Sequence, residues 1–208
     1  MEGIVAPPPG AIPRVTEEAV HIAARLRSLA GKGKVIAFTS AGAGEGATAV
    51  ACAVATALAQ MDMGQVLVLD ANFASPSTHV RFGLPRAPGL ADVLAGAASF
   101  EQGVRATPID RLSLLPLGTP VPEGAMLRTV ATLPAVLSQA RQRFETVLVD
   151  APSFVRSAVA PVVLAECDAV VLVVAAGAHK RGELQDLRRH LDEAGARLLG
   201  VVLSNARM

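Results

Sequence analysis

The chain has 208 residues, 51% of them apolar, and a formal net charge of +1. That length supports one sizeable α/β core, and the near-balance of charge leaves no basic stripe of the kind DNA or RNA binding uses. No apolar run approaches the ~18 residues of a transmembrane helix, and the start, Met1-Glu2-Gly3 followed by prolines, does not resemble a signal peptide.

Residues 1–15 are rich in Pro and Gly and read as a flexible leader; 16–208 read as a single domain. A helix is expected from Thr16 to Leu29, capped by Thr16, with Glu17 and Glu18 in its first turn. Lys32-Gly33 breaks the chain before an apolar strand, Val35 to Thr39. A glycine-rich turn, Ser40 to Thr48, leads into an Ala-rich helix from about Ala47 to Gln60. The next strand is Val66 to Asp70. A loop follows over 71–89, then a short helix near Leu90–Ala95 and a strand at Leu112–Pro116. A helix at about 125–142 precedes the strand Val147 to Asp150. The last units are a helix near 157–165, a strand Ala169–Ala175, a helix at 182–194 and a strand Leu198–Leu203.

These strands are continuous apolar runs, as in sheets covered on both faces. Helices between them imply right-handed crossovers and a mostly parallel, doubly wound sheet in three layers. Such sheets bind ligands at the carboxyl ends of their strands. The turn 40–48, Asp70 and Asp150 all fall there. Cys52 and Cys167 lie far apart inside apolar runs and read as core residues of a reducing compartment.

The turn has the strand–loop–helix pattern of a phosphate-binding loop. Backbone N–H groups and a helix N-terminus hold phosphate in such loops. Gly42, Gly44 and Gly46 let the backbone approach and take unusual dihedrals, and the Thr48 hydroxyl stands where a Mg²⁺ ligand belongs. The lysine that normally precedes this Thr is Ala47. Lys32 and Lys34 lie at the other end of the strand, ~16 Å away at ~3.3 Å per residue. Asp70 and Asp150 read either as holders of Mg²⁺ or as turn-initiating residues at strand ends. Lys180 and Arg181 follow the strand 169–175 at the same sheet edge and read as substitute cations or as a solvated helix start. His21, His79, His179 and His190 have no metal-site spacing.

In order and spacing these stretches resemble the cytoplasmic ATPase domain of the bacterial tyrosine kinases. These are the capsule and exopolysaccharide chain-length regulators, of the MinD/ParA type of P-loop NTPase-like folds. The resemblance covers about residues 16 to 205. It rests on Lys34 to Gly46, Val66 to Asn72, Phe82-Gly-Leu-Pro, Pro88 to Gly96, Val147 to Pro152, Arg181 to Leu184 and Ala194 to Leu203. It implies that Asp150 is the Walker B acid and Asp70 the first acid of the second Walker-type motif.

Several positions depart from that pattern. Ala47 and Gly42 replace two lysines, Asn72 an Asp, and Ala74-Ser75 a basic pair before Pro76. Ser204 stands where an adenine-side Asn is expected, with Asn205 one place late. The ring-assembly pattern of the first helix reads Glu18-x-x-His21-x-x-Ala24, and the sequence holds no tyrosine to phosphorylate.

The resemblance therefore implies a non-catalytic, pseudokinase-like protein. Its expected place is the cytoplasm, peripheral at the inner membrane. Its expected partner is the cytoplasmic segment of an integral-membrane polysaccharide co-polymerase, serving exopolysaccharide, capsule or adhesin export. No cofactor, or only weak ATP- or ADP-Mg²⁺, is expected, and no nucleic acid. A homo-oligomer would bury apolar loop surface around Phe73 and Phe82. The alternative is a divergent ATPase or protein kinase that keeps ATP-Mg²⁺ through Thr48, Asp70 and Asp150.

Overall fold

The computed structural model describes residues 13, 15–29, 33–62 and 64–204. Most of the expected leader, Lys32 and Asn205 lie outside them. Seven strands form one sheet in the order β3-β4-β2-β5-β1-β6-β7. They are β1 (Lys34–Ser40), β2 (Val66–Asp70), β3 (Arg105–Ala106), β4 (Leu112–Leu115), β5 (Thr146–Asp150), β6 (Ala169–Ala175) and β7 (Leu198–Ser204). All neighbours pair in parallel except β3 with β4.

Alternate residues of each strand feed two separate cores, the three-layer arrangement read from the sequence. Ile36, Phe38, Val66, Val68 and Leu148 face one core with α1 (Glu17–Leu29) and α2 (Ala47–Gln60). Val35, Ala37, Leu67, Leu69, Val147 and Val149 face the other, with α7 (Leu133–Arg143), α8 (Ala160–Ala165) and α9 (Arg181–Glu193). Helix α2 is buried from Ala49 to Ala59, as expected of a helix that is apolar all round. Its small side chains let the sheet approach on one side and α1 cover the other through Ala19, Ala23 and Leu26. Thr16 caps α1 as expected, its Oγ1 accepting from Ala19 N–H at 3.2 Å. At the amino end of β1, Asp168 accepts from Val35 N–H at 2.8 Å and pairs with Arg141, which also donates to the Gly33 carbonyl at 2.7 Å.

Four segments differ from expectation. The loop 71–89 contains α3 (Thr78–Phe82), closed by Gly83 in the left-handed region at φ 65°. Before β4 come α4 (Leu90–Leu94), α5 (Phe100–Gly103) and the two-residue β3, of which α5 and β3 are too short to leave a periodic signal. The helix expected at 125–142 is two, α6 (Met126–Val130) and α7, and Pro134 sits in the first turn of α7, where its missing N–H costs nothing. Helix α8 likewise starts late, with Pro161 in its first turn. Phe73 and Phe82 are 8% and 3% exposed and belong to the two cores, while Val80 beside Phe82 is exposed.

Helix α4 is pinned onto the end of β4. Leu90 N–H donates to the Pro116 carbonyl and Ala91 N–H to the Leu117 carbonyl, each at 2.7 Å. Gly89 permits this approach, because a Cβ there would lie 2.2 Å from the Pro116 oxygen and 2.5 Å from the Gly118 nitrogen. Gly89→Ala is therefore expected to lower unfolding free energy by about 1–3 kcal/mol. Gly124→Ala, where a Cβ meets nothing within 4 Å, is expected to stay within about 0.5 kcal/mol of the parent. Urea denaturation of the two variants checks the contrast.

Candidate functional site

Strand β1 lies between β5 and β6, so the chain leaving it enters a crevice at the carboxyl edge of the sheet. The turn after β1 forms one wall. Gly44 and Gly46 have φ of 77° and 93°, which only glycine adopts without strain. Gly42 does not; a Cβ there would press on Glu45 at 3.2 Å. The Gly46 carbonyl accepts from Val50 N–H at 3.0 Å, starting α2 at the base of the crevice. The turn is tied from behind. The Ser40 hydroxyl donates to the Gly42 carbonyl, and the Ser204 hydroxyl to the Glu45 carbonyl, both at 2.7 Å. Ser204 is thus spent on holding the turn.

Asp70 and Asp150 are brought together, as expected, at paired positions of β2 and β5, and both are fully buried. Asp70 accepts from Thr78 N–H at 3.2 Å, Thr78 Oγ1 at 2.7 Å and Asn72 N–H at 3.0 Å. Among the described residues Asp150 accepts only from the Thr48 hydroxyl, at 2.8 Å through Oδ2, and its Oδ1 has no partner. Burial pushes the Asp70 carboxyl up to about 6 against the hydrogen bonds from Thr78. Burial, and then the charge of Asp70, pushes Asp150 well above the usual carboxylate range, opposed by Thr48 and Arg81.

A cleft of about 270 Å³ opens between the turn, Asn72–Ser77, Ala151–Ser153 and Arg81 of α3. Ala47 and Thr48 line it, and the Ala47 methyl also packs in the α1–α2 core. Lys34 is at the opposite end of β1. Lys180 and Arg181 are exposed at the start of α9 and do not line the cleft. Thr48 and Asp150 are hard oxygen donors of the type Mg²⁺ takes, and the unpartnered Oδ1 suits a cation. The turn's N–H groups and the start of α2 suit phosphate.

Two residues here escape a sequence reading. Arg81 is reached only because α3 forms; Ser77 before it and Gly83 after it are the start and stop signals that could have revealed the helix. Glu45 is 6% exposed and meets Nε2 of His179, whose Nδ1 lies 3.5 Å from Glu183. Glu45 raises the His179 pKa above its ordinary value. A contact spanning 134 residues leaves no local sequence signal. Cys52 and Cys167 are buried and unpaired, as expected of core residues. Among the described residues no helix is long and apolar enough to cross a membrane.

Residues 34–198 match the protein-family model described as cellulose biosynthesis protein BcsQ. The chain is similar to the tyrosine-protein kinase YwqD of Bacillus subtilis, 28% identical over 69% of this chain and 61% of that protein. It is also similar to the tyrosine-protein kinase CpsD of Streptococcus pneumoniae, 28% identical over 56% of this chain and 51% of that protein. The chain thus spans about three fifths or less of the length of these relatives. Among solved structures, the BceF tyrosine kinase domain superposes with a TM-score of 0.76 at 26% identity, covering 88% of this chain and 76% of that one. The Pyrococcus furiosus cell division ATPase MinD superposes with a TM-score of 0.71 at 26% identity, covering 82% and 71%. The chimerical protein CapA2B2 covers 98% and 96% with a TM-score of 0.81, at 24% identity. The fold is that of the MinD/ParA-like P-loop proteins.

The raised acids carry a pH signature. Asp70 holds a proton in the folded state between 3.8 and about 6 that it has lost when unfolded, and Asp150 is displaced in the same sense. Their protonation supports folding fully below about 4, and that support is lost as pH rises through their folded values. Asp150→Asn removes one of these protons from the balance. It is expected to gain stability relative to the parent as pH rises from 4 to 7, read by thermal unfolding across that range. A difference that does not change with pH contradicts the assignment.

Proposed function

The chain belongs to the cellulose biosynthesis protein BcsQ family, and we propose on that premise that it serves exopolysaccharide production as a non-hydrolysing cytoplasmic partner. Its proposed docking site is the cytoplasmic segment of a membrane polysaccharide co-polymerase. The observation that carries this reading is Ala47. A phosphate loop that turns over nucleotide supplies an ammonium immediately before Thr48. Here that position is a methyl packed in the core, with Lys34, Lys180 and Arg181 away from the cleft. Losing a group that stabilises developing charge costs about 10²–10³ in rate. A further feature agrees: Ser204 is spent on the turn itself. The two sheet cores remain packed, which supports a role carried by the surface of an intact fold.

A second reading has its own support. The relatives YwqD and CpsD are named tyrosine-protein kinases, and Thr48 and Asp150 remain hydrogen-bonded at the cleft. In that reading the turn, Thr48, Asp70 and Asp150 hold ATP-Mg²⁺ and the chain is a divergent ATPase or kinase.

One experiment separates the two. A deletion strain is complemented with the wild-type chain or with Asp150→Ala, and polysaccharide output is measured. Capture of the wild-type chain by co-polymerase cytoplasmic segments is scored in parallel. The non-hydrolysing reading expects capture, and equal restoration by both chains. Mg-ATP turnover by the wild-type chain that Asp150→Ala abolishes, together with failed complementation, establishes the enzyme instead.

A further inference from the structure

The side chain of Arg81 carries a shielded donor with no hydrogen-bond partner. Arg81 lies on α3, across the cleft from the turn and the first residues of α2. Its Nε is shielded from solvent and has no hydrogen-bond partner, and the guanidinium is in no ion pair among the described residues. A buried donor left unpaired is costly, so a partner arriving from outside the chain gains from filling it. The partner must be an acceptor, because the guanidinium carries only donors, and its positive charge favours an anion. The other wall narrows its chemistry: glycines in the left-handed region at 44 and 46 and the start of a 14-residue helix shape that wall, and such walls favour phosphate. The fork of an Arg grips phosphate oxygens in pairs.

We propose that Arg81 is the cation that holds a phosphate-bearing anion in this cleft, reaching it from α3 where Ala47 leaves the turn without a lysine. This rests on the non-hydrolysing reading, because it provides for binding rather than turnover. The ligand is a diphosphate group, free or carried on a nucleoside. The lining has no aromatic side chain to stack a base, and its volume of about 270 Å³ lies just below the usual small-molecule range of about 300–1,000 Å³. Placing the cation on α3 also changes what it touches. A lysine in the turn moves with the turn, whereas Arg81 moves with α3, whose first residue Thr78 is bonded to Asp70. Arg81 also opposes the upward push on Asp150, so one charge serves both the acid and the anion.

The test is isothermal titration of the wild-type chain, Arg81→Ala and Arg81→Lys with inorganic pyrophosphate and, separately, with ADP, each with Mg²⁺. Arg81→Ala is expected to weaken binding about tenfold or more, and Arg81→Lys to recover part of the loss. The rise in melting temperature on adding ligand should shrink in the same order. Melting without ligand reports whether Arg81→Ala still folds, and Arg81→Lys keeps the test readable if it does not. Loss with both ligands assigns the site to the diphosphate itself. Loss with ADP alone assigns it to a nucleotide, and either result supports the proposal. Equal affinity of Arg81→Ala and the wild-type chain overturns it, as does no binding of either ligand to the wild-type chain at millimolar concentration. Capture by co-polymerase segments is a separate readout, so failure there removes the partner reading and leaves the anion result standing.

Discussion

Parallel pairing of β1 with β5, and of β5 with β2, sets the carboxyl ends of three strands at one level. Everything at the cleft depends on that alignment. Phe38 pairs with Asp150, and Asp150 with Asp70, so β1 runs two residues, Thr39 and Ser40, past the line of the acids before the turn. The Phe38 carbonyl then accepts from Ala151 N–H at 2.9 Å, and the Asp150 carbonyl from Ala71 N–H at 2.9 Å. These bonds carry the register past the strand ends into the connecting loops. A slip by one residue would turn the acids to the other face and empty the crevice.

The electrostatics of the cleft are unbalanced toward acid. Two carboxyls are fully buried beneath a turn that brings no cation of its own. Arg81, on the five-residue α3, is the basic side chain that lines the cleft above them. Glu45, in the turn, has its counter-charge in His179 on the connection between β6 and α9. The turn is thus braced from the β6–β7 side by Glu45–His179 and Ser204, while its open side faces α3. Any ligand that enters meets a rigid back wall and a wall that depends on five residues of helix.

Long buried strands were legible because they are apolar on both faces. β2 and β6 lie where a reading of the runs puts them, and β1, β5 and β7 differ by a residue or so at their ends. The convergence of the turn, Asp70 and Asp150 follows from those strands alone. What was not legible is short or long-range. α3 has five residues and β3 two, fewer than a period needs to show itself. Arg81 was invisible for that reason, although Ser77 and Gly83 bracket it. Glu45 reads as a loop charge until His179 is folded against it. That Phe73 and Phe82 are themselves core residues was not legible either, because their loop folds back onto both cores.

Burial makes the Asp70–Asp150 pair a proton store beneath the cleft. With both carboxyls held above their ordinary range, the pair retains protons at mildly acid pH that a solvent-exposed pair would have given up. A cation that settles against Asp150 competes with the proton that it holds. Occupancy is then written into the heat of binding as well as its affinity, through the ionisation enthalpy of whichever buffer takes up the released proton. Charge exchange of that kind is a property of the buried acids themselves, and it persists whether or not the bound group is ever hydrolysed.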